Sequence, residues 1–166
     1  MISKQMAKAL NEQINAELYS AYLYLAMSAH ATAGGLKGIG NWMMVQNREE
    51  TAHAMKQYNY LLSQGERPEL LAIAKPPASF KSPLDMFQQT LGHEQLVTRR
   101  IHKLVDLAIA EKDHATQVFL QWFVSEQVEE EENATEIVNM LKVAGTDKVA
   151  MFMIDSHLGK RGSKSA

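Results

Sequence analysis

Glu50 and His53 stand three residues apart in Arg48-Glu49-Glu50-Thr51-Ala52-His53, a stretch that reads as the middle of one long helix. Residues three or four apart share a helical face, so a carboxylate and an imidazole are presented side by side. The same face carries Ile39, Met43, Gln46, Gln57 and Tyr60, spaced alternately by four and three, the seam that a bundle helix turns inward. A charged carboxylate in a core is costly unless a cation or a hydrogen-bond partner compensates it. Partners must therefore come from elsewhere in the chain.

Three other segments repeat the pattern. One stripe runs Ala7, Leu10, Ile14, Glu17, Ala21, Tyr24, Ser28; the next Leu84, Phe87, Leu91, Glu94, Thr98, Ile101, Val105, Ala108; the last Thr116, Leu120, Phe123, Gln127, Glu130, Ala134, Ile137, Leu141. Each is an apolar seam broken near mid-height by an acid. A lone buried Glu is ordinarily a structural hydrogen-bonding group, and Glu-x-x-His arises by chance on many helices. Acids at one level of all the seams call for a common ligand. Glu17, Glu50, His53, Glu94 and Glu130, with Gln127 alongside, offer four carboxylates and one imidazole. Hard oxygen donors with a single nitrogen suit iron or manganese better than a thiophilic metal. With one carboxylate bridging, a pair of metals can share these side chains and keep open positions for dioxygen or peroxide. The chemistry expected is oxidation of Fe(II) to Fe(III), with the protein fixing geometry and open coordination.

The elements that position these groups read as helices throughout. Ser3 caps a first helix, about 4–33, stopped by Gly34-Gly35. The second spans about 38–64, ahead of Gly65 and Pro68. Residues 66–81 hold Pro68, Pro76 and Pro77 and form a connection long enough to cross from one end of a bundle to the other. Ser82-Pro83 with Asp85 opens the third helix, about 83–110, by cap, first-turn proline and acid. Asp113 caps the fourth, about 113–144, and Asp147 begins a short fifth, 147–158, closed by Gly159 and followed by a basic tail, 159–166. One domain over 1–166 is expected, with 46% hydrophobic and 22% charged residues.

A net charge of −2 gives no long-range reason to seek nucleic acid. The tail Lys160-Arg161-Gly162-Ser163-Lys164 is basic and reads as a frayed, solvated terminus. The absence of cysteine excludes disulfides, thiolate nucleophiles and cysteine-bound zinc or iron–sulfur clusters, and agrees with a cytoplasmic location. No apolar run approaches the roughly 20 residues that span a bilayer, so no membrane partner is expected. Met1-Ile2-Ser3-Lys4-Gln5-Met6 also lacks the apolar region of a secretion signal.

Asn11-Glu12-Gln13, Glu17-Leu18-Tyr19-Ser20, Glu49-Glu50-Thr51-Ala52-His53, Leu120-Gln121-Trp122-Phe123-Val124-Ser125-Glu126-Gln127 and the last short helix resemble bacterial non-haem ferritins, along nearly the whole chain. The resemblance implies an all-α, ferritin-like four-helix bundle with a long crossover between the second and third helices and a short fifth helix. It implies a ferroxidase centre in which Glu17, Glu50 and His53 hold one iron, Glu50 bridges, and Glu94 with Glu130 holds the second. Gln127 would orient ligands or water, and Tyr24 would serve as an electron donor or hydrogen-bonding neighbour. Glu49, Glu126 and Glu129 would form a third iron site, with Glu130 shared. Fe(II) and dioxygen or hydrogen peroxide would be the reactants, and a homo-oligomeric shell of about 24 subunits would store ferric mineral, with the fifth helix at its fourfold axes.

Departures from neighbouring families narrow the reading. Bacterioferritins and rubrerythrins repeat Glu-x-x-His on the fourth helix, where this chain has Gln127-Val128-Glu129-Glu130. The haem-binding methionine of bacterioferritins is replaced by Thr51, so no haem is expected, and Met43, Met44, Met151 and Met153 read as packing residues. Animal ferritins line threefold pores with acids where Gln117 and Leu120 stand here, which leaves the entry route open. Like charges one turn apart cost a helix about 0.2–0.5 kcal/mol per pair, a penalty that a cation would relieve between Glu126 and Glu130. Glu131 and Glu132 read as a solvated face, and His30, His93, His102, His114 and His157 as surface or packing residues. Two rival functions follow: a passive or DNA-shielding cage of the mini-ferritin kind, and a di-iron peroxidase that stores no iron. A ligand set within one bundle and the segment 146–158 argue against the first, and iron retained per subunit separates the second.

Overall fold

The computed structural model describes residues 2–162. Its helices are α1 (Lys4–Ala33), α2 (Lys37–Ser63), α3 (Pro83–Ala110), α4 (His114–Ala144) and α5 (Lys148–Leu158). Side-chain caps begin all but α2: Ser3 accepts from the Met6 amide, Ser82 from Asp85, Asp113 from Thr116, and Asp147 from Val149 and Ala150. Such caps satisfy amides that a helix leaves without partners. α1 packs on α2 and α3 on α4 as hairpins; α1 also lies along α3, and α5 leans on α2 and α4. α2 and α4 meet through long side chains, with Gln46 bonded to Glu130 and the His53 ring against Trp122 and Phe123.

Residues 64–82 run up the outer side of α1. Lys4 pairs with Glu66 at 2.9 Å, the Glu69 amide donates to Asn11 Oδ1 at 2.9 Å, and Asn15 Nδ2 donates to the Ala72 carbonyl at 3.1 Å. Phe80 then packs edge-on against His30, 5.4 Å between centroids. A helix rises about 40 Å over the span from Lys4 to His30. The strap therefore delivers α3 to the far end of the bundle, from which it returns antiparallel to α1.

In α1 and α4 every position of the expected stripes is buried, and in α2 all but the half-buried Tyr60 are. α3 differs. Its buried line is Met86, Phe87, Thr90, Glu94, Val97, Ile101, Leu104 and Ala108, whereas Leu84, Leu91, Thr98 and Val105 are half-buried. The helix is rotated toward α1, where Thr90 Oγ1 meets Met27 Sδ at 3.5 Å and His93 meets Ser20. The apolar core forms two clusters, one around Tyr24, Met27, Trp42, Phe87 and Leu141, the other around Leu10, Leu61, Ile101, Leu120 and Phe123. A buried polar layer containing Glu17, Gln46, Glu50, His53, Gln57, Glu94, Gln127 and Glu130 lies between them.

α5 crosses the start of α2 at Gly38, where an added Cβ would stand 1.7 Å from the Asp155 carbonyl oxygen. The Ile39 amide donates to Asp155 Oδ1 at 2.8 Å, and Asn41 Nδ2 donates to the Arg161 carbonyl at 3.0 Å. Because the backbone is pinned there, Arg161 is not part of a frayed, solvated tail. Its guanidinium carbon lies 4.4 Å from the Trp42 ring centroid, and Nη2 donates to Glu49 Oε2 at 2.6 Å. Ser163 and Lys164 of the basic tail lie outside the described residues. Among the described residues, no helix is long and apolar enough to cross a membrane.

Candidate metal centre

Glu50 and His53 lie one turn apart on α2, and the close α1–α2 pairing brings Glu17 opposite them. One potential ligand atom from each of the three lies within 4.8 Å of the others, and all three residues are buried. His53 Nδ1 is 3.7 Å from Glu50 Oε2. Glu17 Oε1 accepts from Gln13 Nε2 at 2.9 Å and from Gln57 Nε2 at 3.0 Å. Arg100 Nε donates to Gln13 Oε1 at 2.9 Å, which fixes the amide so that its NH2 group faces Glu17. The second oxygen of Glu17 and Oε1 of Glu50 accept from no amide, hydroxyl or ring donor, and a hydrogen bond between the two carboxyls, which requires a proton on one of them, helps to raise Glu50. Two carboxyls buried together are costly to ionise, and a divalent cation is the partner whose chemistry fits two carboxylates and an imidazole.

The α3–α4 hairpin presents the other acids. The Tyr24 hydroxyl donates to Glu94 Oε1, Gln127 Nε2 donates to Glu94 Oε2 at 3.2 Å, and Gln46 Nε2 donates to Glu130 Oε2 at 2.8 Å. Glu94 and Glu130 fall outside the compact ligand group but close enough to act on it. Burial, then the charges of Glu94, Glu17 and Glu130, pushes the Glu50 carboxyl well above the usual carboxylate range. Burial and the Glu130 charge push Glu94 up to about 8, against the hydrogen bonds from Tyr24 and Gln127. Glu130 is pushed up to about 7, chiefly by burial and against the Gln46 bond, with Glu49 and Glu126 adding to the rise. Burial and the neighbouring carboxylates raise Tyr24 well above a normal phenol, so it remains a neutral donor. The layer is thus a set of acids that resist simultaneous ionisation.

Of the other expected residues, Glu49 is buried and bonded to Arg161, and Glu126 is half-buried and acts on Glu130. Glu129 is exposed on the wall of a cavity of about 430 Å³ that Trp42, His157 and Arg161 also line. Glu131 is not on a solvated face: it is half-buried and accepts from Thr98 Oγ1 at 2.5 Å, because α3 passes beside it. Glu132 is exposed. His93 sits 2.7 Å from Ser20 Oγ, and burial lowers its pKa to about 4, so it packs as a neutral ring. Gln13, Arg100, Arg161 and the Trp122 ring, 5.2 Å from His53, were not singled out by the spacing argument. Gln13 carries a signal, since it lies one turn before Glu17 on the same face. Arg100 and Arg161 carry none, being 87 and 112 positions from the side chains they hold.

Comparison with known proteins gives concordant results. The family model for the ferritin-like domain matches residues 7–144. A bacterial non-haem ferritin of Bacteroides fragilis is 43% identical over 97% of this chain and 100% of its own length. One from Staphylococcus aureus is 39% identical over 97% of each. Among crystal structures, an open-pore ferritin from the hyperthermophilic archaeon Archaeoglobus fulgidus superposes with a TM-score of 0.97 at 50% identity, over 98% of this chain and 100% of that one. A closed form of the Archaeoglobus protein, engineered by site-directed mutagenesis, gives 0.97 at 49%, over 99% and 100%.

Proposed function

This chain belongs to the ferritin family, and we propose that it stores iron, oxidising Fe(II) to Fe(III) at a dinuclear centre within each bundle. The observation that supports the reading most strongly is the convergence of Glu17, Glu50 and His53, all buried, with one ligand atom of each within 4.8 Å of the others. Glu17, Glu50 and His53 hold one Fe(II); Glu50 bridges to a second held by Glu94 and Glu130. Glu50, Glu94 and Glu130, whose carboxyls are raised, hold protons more tightly than ordinary carboxylates in the metal-free protein, and entering cations displace them. Two Fe(II) give one electron each; dioxygen takes both with two protons and leaves as hydrogen peroxide, or hydrogen peroxide takes both with two protons and leaves as two water molecules. Gln127 and Gln46 orient Glu94 and Glu130, and Tyr24 keeps a hydroxyl against the ligand shell. Glu49, Glu126 and Glu129, with Glu130 shared, form a weaker all-oxygen position through which the third iron passes.

Storage requires a shell, proposed to be a cytoplasmic cage of about 24 copies. Val149, Phe152 and Met153 on α5 are exposed apolar side chains that a neighbouring copy would cover. The open-pore relative and the closed form engineered from it are equally good superpositions, so this subunit fold is compatible with either cage geometry. Anomalous scattering from crystals soaked anaerobically in Fe(II) tests the centre: two iron peaks bounded by Glu17, Glu50, His53, Glu94 and Glu130 are expected. Crystals that take up no iron in the polar layer would end the reading.

A further inference from the structure

The C-terminal end of the described chain places a cation where the third iron is proposed to bind. Trp42 and Glu49 lie seven residues apart on one face of α2, and Arg161 covers both, its guanidinium on the indole and Nη2 2.6 Å from Glu49 Oε2. Glu49 is only 8% exposed, and its other oxygen has no hydrogen-bond partner. A buried carboxylate without a counter-charge is expensive, and the guanidinium supplies that charge. The segment that carries it is held by Asn41 Nδ2 at the Arg161 carbonyl, 3.0 Å, and by the docking of α5 across Gly38. One side of Arg161 faces the acids and the other lines the cavity of about 430 Å³ with Glu129, Asn133 and His157.

We infer that Arg161 is a tethered counter-ion of the third site: it stands in for the metal at Glu49, and a third divalent cation binds only by displacing it toward the adjacent cavity. The inference rests on the ferroxidase reading and adds a specificity-determining residue to it. Arg161 shapes the filling order, because Glu17, Glu94 and Glu130 accept their side-chain hydrogen bonds from neutral amide and phenol groups, whereas the third ion must first break a charge-assisted hydrogen bond and an indole contact. It also resets the site, since the guanidinium reoccupies Glu49 when the ion leaves.

The test uses the metal-free, full-length assembled protein and Zn(II), which cannot be oxidised, in isothermal titration calorimetry and in Zn-soaked crystals read at the zinc edge. The parent should bind two Zn(II) per subunit tightly and a third weakly, with Arg161 swung away from Glu49 where the third peak appears. Arg161→Gln should tighten the third site about tenfold or more, the factor that a hydrogen bond to a charged group is worth. The first two should change less than twofold. Arg161→Lys should fall between, and Glu49→Gln should lose the third ion. A third site unaltered in Arg161→Gln, or absent from both proteins, overturns the counter-ion assignment and leaves the dinuclear reading standing. Loss of the first two sites in Arg161→Gln makes the residue a structural strut and equally overturns it. A parent that binds no pair overturns both.

Discussion

Raising the pH of the metal-free protein from 6.5 to 9 should destabilise it by about 3 kcal/mol per subunit. Glu94 and Glu130 start from an ordinary value of 4.5 and reach about 8 and about 7 in the folded chain. A raised folded pKa contributes stability that is fully present below the unfolded value and lost as pH rises through the folded one. At about 1.36 kcal/mol per unit, Glu94 still contributes about 2 kcal/mol at pH 6.5 and Glu130 about 1; at pH 9 nearly all of this is gone. Glu50 moves in the same direction, and the acids lose their protons as a cluster rather than singly. His93 has the opposite sign: depressed to about 4, it contributes stability that is lost as pH falls from 6.5, so the window opens where its effect is nearly spent. With about 2–4 °C per kcal/mol for a chain of this size, the melting midpoint should drop by roughly 6–12 °C. Scanning calorimetry of chelator-treated protein at one fixed scan rate measures it. Glu94→Gln should lessen the fall, and saturating Zn(II) should flatten it. A parent midpoint that is level or rising from pH 6.5 to 9, or an equal fall in Glu94→Gln, would refute the reasoning.

Glu50→Ala should slow the initial oxidation of two Fe(II) per subunit more than Glu17→Ala or Glu130→Ala does, because the proposed bridging ligand serves both ions; stopped-flow absorbance at the ferric band checks this. Glu49→Ala with Glu126→Ala should leave the first fast oxidation largely intact while changing iron consumed per dioxygen and the rate of later additions; an oxygen electrode run through repeated additions reads both. Gly38→Ala should cost about 1–3 kcal/mol, because the methyl group meets the Asp155 backbone rather than a flexible side chain. Its melting midpoint should fall, and light scattering should show a weakened shell. Light scattering of the parent should give a particle of about 24 subunits at neutral pH and moderate salt; a stable monomer or dimer would contradict the cage.

Much of the fold was readable because the pattern is redundant. Caps at Ser3, Ser82, Asp113 and Asp147 start helices with their side chains on the expected amides, and apolar seams of α1, α2 and α4 need only local spacing to identify. The α3 seam was displaced because spacing defines a centre line, Phe87, Glu94, Ile101 and Ala108, but not which flank a neighbouring helix will cover. Acids interrupting apolar seams stood out for the same reason that they are costly, and Glu17, Glu50, Glu94 and Glu130 are all at most 2% exposed. What spacing could not reveal is the support around them. Arg100 reaches Gln13 across the α1–α3 interface, and Arg161 reaches Glu49 only because α5 folds back over Gly38. Basic residues in a polar terminus look solvated until the path of the backbone is known.

The strap along α1 also bears on how the chain folds. It divides the molecule into two hairpins, each closed by a short turn and stabilised by contacts close in sequence, and such units form rapidly. Joining them requires the long loop to close, a slower step. That step carries Glu17 and Glu50 on one hairpin against Glu94 and Glu130 on the other, so charges that are far apart in the separate hairpins are forced together when the halves dock. Docking should therefore meet an electrostatic barrier that grows as the acids ionise, so that refolding of the metal-free chain is expected to slow with rising pH while hairpin formation is not. A divalent cation held between the halves, as proposed, would act as a clasp on the assembling chain.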